Sequence, residues 1–286
     1  MKRQPSKLES VAAHLLLFCA VCFALYPVLW VLSQAFSGLQ TPEPRVLPVP
    51  EHLTVQHLRD VVGQTRTTPT GTVWLFGRQM VNSLVVSGAT ALVGVVIAIP
   101  TAYALARFNF VGKQGGVKAL LATQMFPTVA SLIPLYFLLN RLGLLNSRTG
   151  LVLCYAATSV PFAIFQLRAA FESIPVDLEE AAMVDGATRF QAFLRVALPA
   201  ARPAIAVTAL FAFMSAYNEF ILAATLLGRE EMFTLPVVLQ RYIGEYSSNV
   251  PVFAAGALIV SAPVMVLFYV LQRHLVAGLT AGAVKG

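Results

Sequence analysis

Few residues in this chain have the types and spacing that do chemistry. Glu219 is the single acidic or basic side chain inside a long apolar run, and Asn218 stands beside it. A carboxylate at the centre of a bilayer costs ~2.5–3.5 kcal/mol on insertion scales. Glu219 is therefore either part of a wet path or gate, or a structural hydrogen bond between helices. Gln124, Thr128 and Ser131 flank Pro127 and Pro134, and Thr158 and Ser159 precede Pro161. Such prolines free helix carbonyls that nearby hydroxyls can satisfy. A polar lining and a set of mutually satisfied kinks explain these residues equally, so Asn218, Glu219, Gln124 and Thr128 are the possible translocation path. Cys19 and Cys22 share a helix face, but no second cysteine pair or nearby histidine completes a metal site. With Cys154 they read as small apolar packing residues, and no metal is expected. Gly112-Lys113 lacks the first glycine and the hydroxyl of a phosphate-binding loop. The nucleophile and zinc-hydrolase patterns are missing too. No catalytic residue is expected, so the chain reads as no enzyme.

The elements that must position these residues follow from composition. Of 286 residues 57% are hydrophobic and 12% are charged, with net charge +7 and mean hydropathy +0.74. Soluble domains carry about 25% charged residues, so an ordinary soluble enzyme, a disulfide scaffold and a disordered chain are excluded. The basic excess forms no clustered stripe, which argues against nucleic acid. A spanning helix needs about 20 mostly apolar residues, and backbone groups in lipid must be satisfied within the segment. Runs nearly free of charge predict an all-α membrane protein, one transmembrane domain over 1–286. Its six helices are placed at 11–35, 79–106, 118–140, 149–168, 203–227 and 250–272. The first run exceeds the apolar length of a signal peptide and has no small-residue cleavage site close behind it, so it reads as an uncleaved anchor. Gly94, Ala98, Ala102 and Ala106 form a four-residue ridge of small residues that lets two helices approach closely.

Basic residues set the orientation. With the N-terminus in the cytoplasm, inside segments hold 12 lysines and arginines and outside segments eight, and all five lysines fall inside. Six spans then place both termini in the cytoplasm. The outside loop 36–78 begins extended at Pro42, Pro44, Pro48 and Pro50, and its His52 and His57 read as solvated. A second outside loop covers 228–249, and 273–286 is a cytoplasmic tail.

The cytoplasmic segment 171–202 is polar yet punctuated. Pro175 followed by Asp177, Glu179 and Glu180 predicts a helix start with acids at the positive end of its dipole. Gly186 predicts a left-handed stop. Thr188 with Gln191 predicts a capping box that opens a second helix. Phe190, Phe193, Leu194 and Ala197 predict its apolar stripe. Pro199 and Pro203 then mark the return to the membrane.

Glu180-Ala181-Ala182, followed by Asp185-Gly186-Ala187, Phe193, Val196, Leu198, Pro199 and Pro203, resembles the EAA motif of ABC importer permeases. "ARFNFVGK" at 106–113, "YNEF" at 217–220 and "GLTAGAVKG" at 278–286 resemble the carbohydrate branch, most closely its maltose/maltodextrin (MalG) type. The resemblance runs from about Gln79 to the end. It departs at Tyr217, where the family often has Trp, and the first outside loop carries no recognisable pattern. It implies the type I importer architecture, with a cytoplasmic coupling-helix loop that docks on a separate ATPase dimer. Glu180, Ala181, Ala182, Asp185, Gly186, Ala187, Phe193, Leu198 and Pro199 would make that coupling. Tail residues Gly278, Leu279, Thr280, Ala281, Gly282, Lys285 and Gly286 would contact the ATPase. A second, homologous permease and a periplasmic sugar-binding protein would complete the assembly in the bacterial inner membrane. ATP and Mg would be held by the partner, with no cofactor in this chain. The alternative is a stand-alone proton-coupled carrier that uses Glu219.

Overall fold

The computed structural model describes residues 6–38, 47–50, 52–69, 71–244 and 247–283, without the side chains of 68, 247, 248 and 273–283. It is mostly helical. The chain opens with α1 (Lys7–Phe36), α2 (Gln56–Val62) and a hairpin of β1 (Thr65–Thr68) and β2 (Gly71–Trp74). Next come α3 (Leu75–Arg107), α4 (Lys113–Met125), a 3-10 turn at Thr128–Ser131, α5 (Leu132–Arg141) and α6 (Arg148–Ser173). An elbow follows, made of α7 (Asp177–Val184), α8 (Arg189–Ala192), a π turn at Phe193–Ala197 and α9 (Leu198–Ala200). Then come α10 (Arg202–Tyr217), α11 (Ile221–Leu226), α12 (Leu235–Gln240), the small hairpin β3 (Ile243–Gly244) and β4 (Ser247–Ser248), and α13 (Val250–Ala283).

Four helices are long and apolar enough to cross a membrane: α1, α3, α6 and Val250–Gln272 of α13. Two bent pairs pass the same test jointly, giving four to six candidate spans. The run 118–140 is not one helix, because α4 and the Thr128–Arg141 helix meet at 92°. Pro127 disfavours helix at the residue before it, and Phe126 is extended, with ψ 125. The run 203–227 breaks after Tyr217 and resumes at Ile221. The second span begins at Leu75 rather than 79, because exposed Arg78 interrupts a charge-free run without interrupting a helix. The sixth helix continues past 272 through most of the expected tail.

The chain forms two compact units, residues 1–76 with 239–262 and residues 77–238 with 263–286. In the first, the described part of the loop 36–78 carries a short helix and a hairpin. Thr65 pairs with Trp74 in the hairpin, and the Trp74 indole donates to Val62 O at 2.6 Å. Gln64 Nε2 donates to the Tyr242 hydroxyl at 2.6 Å. His57 is half-buried, with Nε2 2.9 Å from Ser37 O, rather than solvated.

In the second unit the small-residue ridge does what its spacing implies. Ala98 and Ala102 are fully buried and share one core with Ala163, Ile164, Leu167 and Phe171 of α6 and with Ala197 and Ala201. The small side chains at these two positions let α3 pack into that core, as helix interfaces in lipid favour.

Candidate functional site

The elbow is built from local signals. Pro175 and Val176 lead into α7, whose first turn holds Asp177, Glu179 and Glu180. Gly186 closes α7 at φ +91, a left-handed conformation that suits glycine. Its N–H donates to Met183 O at 3.1 Å, and Ala187 N–H to Ala182 O at 3.0 Å. Those two bonds are the Schellman pattern, which satisfies the last carbonyls of a helix. Thr188 and Gln191 form the expected capping box: Gln191 N–H donates to Thr188 Oγ1 at 3.3 Å and Thr188 N–H to Gln191 Oε1 at 2.9 Å. The apolar stripe does not hold as a whole. The π turn adds a residue to the helical register, so Ala192 and Ala197 are buried while Phe190 and Leu194 are exposed. Such π turns are frequent at functional sites.

The elbow has two faces. Glu179 points inward and is buried. Its Oε1 accepts from Arg107 Nε at 2.7 Å, and its Oε2 accepts from the Tyr103 hydroxyl at 2.5 Å. Arg107 Nη2 also donates to Ile174 O at 2.9 Å, tying the end of α6 into the same cluster. The two charged side chains are 9% and 6% exposed. Above the pair, the Phe193 ring lies 4.5 Å from Tyr103 and 6.4 Å from Phe171, centroid to centroid. Arg189 stands over Phe108 at 5.8 Å. The rest of the elbow is open: Glu180, which shares a small cleft with Glu179, Arg107 and Arg189, is exposed, as are Ala181, Asp185 and Gly186, and Ala182, Ala187, Leu198 and Pro199 are half-buried. Apolar Val184 and Phe190 flank it, 88% and 68% exposed.

The structure separates the proposed path residues. Glu219 is half-buried at the break between α10 and α11. It accepts from the Tyr155 hydroxyl at 2.7 Å, from Leu222 N–H at 2.9 Å and from Ala223 N–H at 3.2 Å. It thus caps α11 and joins it to α6. Asn218 is exposed. Gln124 and Thr128 come together across the α4–α5 break, beside Thr158 of α6. Of the tail residues, Gly278 to Gly282 belong to the backbone of α13, while Lys285 and Gly286 lie outside the described residues.

The sequence reading missed Tyr103, Arg107 and Glu179 as a set. A lone arginine closing an apolar run, and an acid beside the motif glutamate, were the available signals. It also missed a polar knot at the start of α3. There Asn82, fully buried, donates to Glu231 O at 2.8 Å and Phe233 O at 3.1 Å, and accepts from Arg148 Nε at 2.8 Å. Ser83 Oγ accepts from Leu235 N–H at 2.7 Å. These bonds hold segment 230–235 against α3 and α6.

Several apolar helices of spanning length, joined by a structured polar elbow, define a polytopic membrane protein. The chain belongs to the family described as binding-protein-dependent transport system inner membrane component, whose model matches residues 91–281. It is 35% identical over 268 residues to the trehalose transport system permease protein SugB of Mycobacterium tuberculosis, covering 93% of this chain and 94% of that one. It is also 35% identical to the maltose/maltodextrin transport system permease protein MalG of Photorhabdus laumondii, covering 98% and 97%. Its fold matches the crystal structure of a bacterial ABC transporter involved in the import of the acidic polysaccharide alginate. That match has TM-score 0.76 and 26% identity, and covers 96% of this chain and 98% of that chain. The chain is accordingly an inner-membrane component of a binding-protein-dependent transport system, similar along nearly its whole length to permeases named for sugars.

Proposed function

We propose that this chain is one of two homologous permeases of a binding-protein-dependent importer for a neutral oligosaccharide, with maltose or maltodextrin as first candidate and trehalose as second. It crosses the inner membrane six times with both termini in the cytoplasm, the two bent helices serving as single spans. An ATPase dimer, carrying ATP and Mg, docks on the elbow. The single observation that supports this is the asymmetry of α7. Glu179 is fixed to α3 through Arg107 and Tyr103, while Glu180, Ala181, Asp185 and Gly186 stand free beside two exposed apolar residues. A loop that only connected two helices has no use for such a rigid, outward-facing corner.

The elbow would act as a lever. ATPase closure would displace α7 as a body, and the buried Glu179–Arg107 pair would carry that displacement into α3 and α6, switching the path by rigid-body motion. The end of α13 would extend the contact toward the ATPase. The loop around Tyr242 would face the sugar-loaded binding protein, and Gln124 and Thr128 would line the path. Glu219 accepts from three donors, two of them backbone N–H groups, which favours a structural role over a proton relay and weighs against the carrier alternative.

Reconstitution tests the reading. Uptake into liposomes is expected only when this chain, a sister permease, an ATPase and a binding protein are present together. Sugar uptake by this chain alone down a proton gradient would overturn it. Glu180→Lys is expected to stay in the membrane but to lose co-purification with the ATPase.

A further inference from the structure

The third candidate span is interrupted at its middle. The run Ala119–Asn140 carries no charge, yet the helix stops at Met125 and restarts at Thr128 with a 92° bend. Gln124, Phe126 and Thr128 are exposed there. Irregular backbone and polar side chains at membrane depth are tolerated only against protein or around water, never against lipid. The break opens into a cavity between α4, α5 and α6.

The chemistry of this cavity is specific. Thr123 Oγ1 donates to Leu120 O at 2.7 Å, Ser131 Oγ to Thr128 O at 2.7 Å and Thr158 Oγ1 to Tyr155 O at 2.9 Å. Each hydroxyl has one proton and two lone pairs. With the protons committed to their own helices, the oxygens present acceptors to the cavity. The Gln124 amide, 3.5 Å from Thr158 O, is held only weakly and can turn either end to a ligand. Among the described residues no Asp, Glu, Lys, Arg or His lines the cavity. The carbonyl end of α4 and the N–H end of the following helix meet at the break, so their end charges of opposite sign oppose one another. Phe126, 61% exposed at the rim, offers a flat apolar face. Mostly apolar, with a few hydroxyl acceptors and an aromatic ring at its edge, the cavity matches an uncharged ligand that has apolar ring faces and hydroxyls to donate.

We infer that the α4–α5 break, through Gln124, Ser131, Thr158 and Phe126, is a subsite for a neutral sugar within the translocation path. The inference rests on the proposed importer function and adds that this chain itself touches the sugar. It also separates this chain from importers of acidic polysaccharides, because a carboxylated sugar would meet acceptors here with no cation to balance it.

The test uses the full assembly in liposomes, with Cys19, Cys22 and Cys154 replaced by Ser, Ser and Ala, and single cysteines placed as Ser131→Cys or Thr158→Cys. Neutral di- and trisaccharides and a uronic-acid oligosaccharide are screened first to find which the assembly imports. A membrane-impermeant thiosulfonate is expected to label both cysteines. The imported neutral sugar, supplied on its receptor, is expected to slow that labelling at least threefold. Ser131→Ala and Thr158→Val are each expected to lower uptake about three- to tenfold, as loss of a hydrogen bond predicts, while the partner subunits still co-purify. Absence of labelling would mean the break is covered by the sister permease, and would overturn the inference. So would labelling indifferent to sugar, or import of the uronic-acid oligosaccharide alone. Glu180→Lys is the control. If it loses the ATPase while Ser131→Cys stays unlabelled, only the subsite fails; if it keeps the ATPase, the docking reading fails instead.

Discussion

Glu179 and Gly186 show how single residues set the elbow. Glu179 is buried and the Arg107 side chain is 9% exposed, so removing one leaves a charge without its partner, a loss of up to about 3–5 kcal/mol. Glu179→Ala should therefore lower the melting temperature of the purified chain and weaken the elbow's hold on α3. The Glu179→Gln/Arg107→Gln double variant removes both charges, keeps hydrogen-bonding groups at both positions, and should recover much of that loss. Thermal melts of the single and double variants measure the coupling; strictly additive losses would show the two residues do not act as a pair. Gly186 is a different case. A Cβ there meets nothing within 4 Å, so space is free and only its φ of +91 resists a side chain. Left-handed backbone costs an ordinary residue about 1–2 kcal/mol, and Asn less than Val. Gly186→Val should reduce co-purification with the ATPase markedly and Gly186→Asn only slightly. Equal behaviour of the two would mean backbone conformation is not what the corner contributes.

At the scale of elements, the breaks matter more than the helices. α10 ends at Tyr217, and Glu219 restarts the chain as α11 by accepting two backbone N–H groups and the Tyr155 hydroxyl. Glu219→Gln keeps one acceptor oxygen and should retain uptake. Glu219→Ala removes a cap, worth about 1 kcal/mol, and leaves the buried Tyr155 hydroxyl unpaired, a further 1–3 kcal/mol or so. It should lower thermal stability clearly. Uptake abolished by Glu219→Gln with stability unchanged would instead assign Glu219 a direct transport role. What was legible in the sequence divides along the same line. The Thr188–Gln191 box and the Gly186 stop were readable, because their partners lie within a few residues. The Ala98–Ala102 ridge was readable because periodicity survives in one strand of text. The Arg107–Glu179 pair spans 72 residues, and no local pattern reports which of two adjacent glutamates turns inward. The π turn escaped for a related reason. It is a packing solution that sets Phe193 against Tyr103 and Phe171, with no turn residue to announce it.

For the whole molecule, the question is whether the two bent pairs cross the bilayer. If both do, there are six spans; if both are re-entrant, there are four, and the elbow's side depends on which. Charge favours crossing. With six spans, all five lysines and the elbow share one side, consistent with the retention of basic loops in the cytoplasm. A re-entrant third segment would return Leu142–Ser147 to the side of Lys113 and Lys118 and, because α6 then crosses outward, would put the elbow and its arginines on the outer side. Single cysteines at Gln114, Gly143 and Asp185, in a background without Cys19, Cys22 and Cys154, decide between these. In sealed right-side-out vesicles, an impermeant maleimide should reach Gly143→Cys at once. It should reach Gln114→Cys and Asp185→Cys only after the vesicles are opened. Labelling of Asp185→Cys from outside would place the elbow beyond reach of any cytoplasmic ATPase, and no mechanism that uses it as a lever would survive. Labelling of Gly143→Cys only after opening would make the third segment re-entrant, and the sugar subsite at its break would then sit at the tip of a loop rather than in the wall of a continuous span.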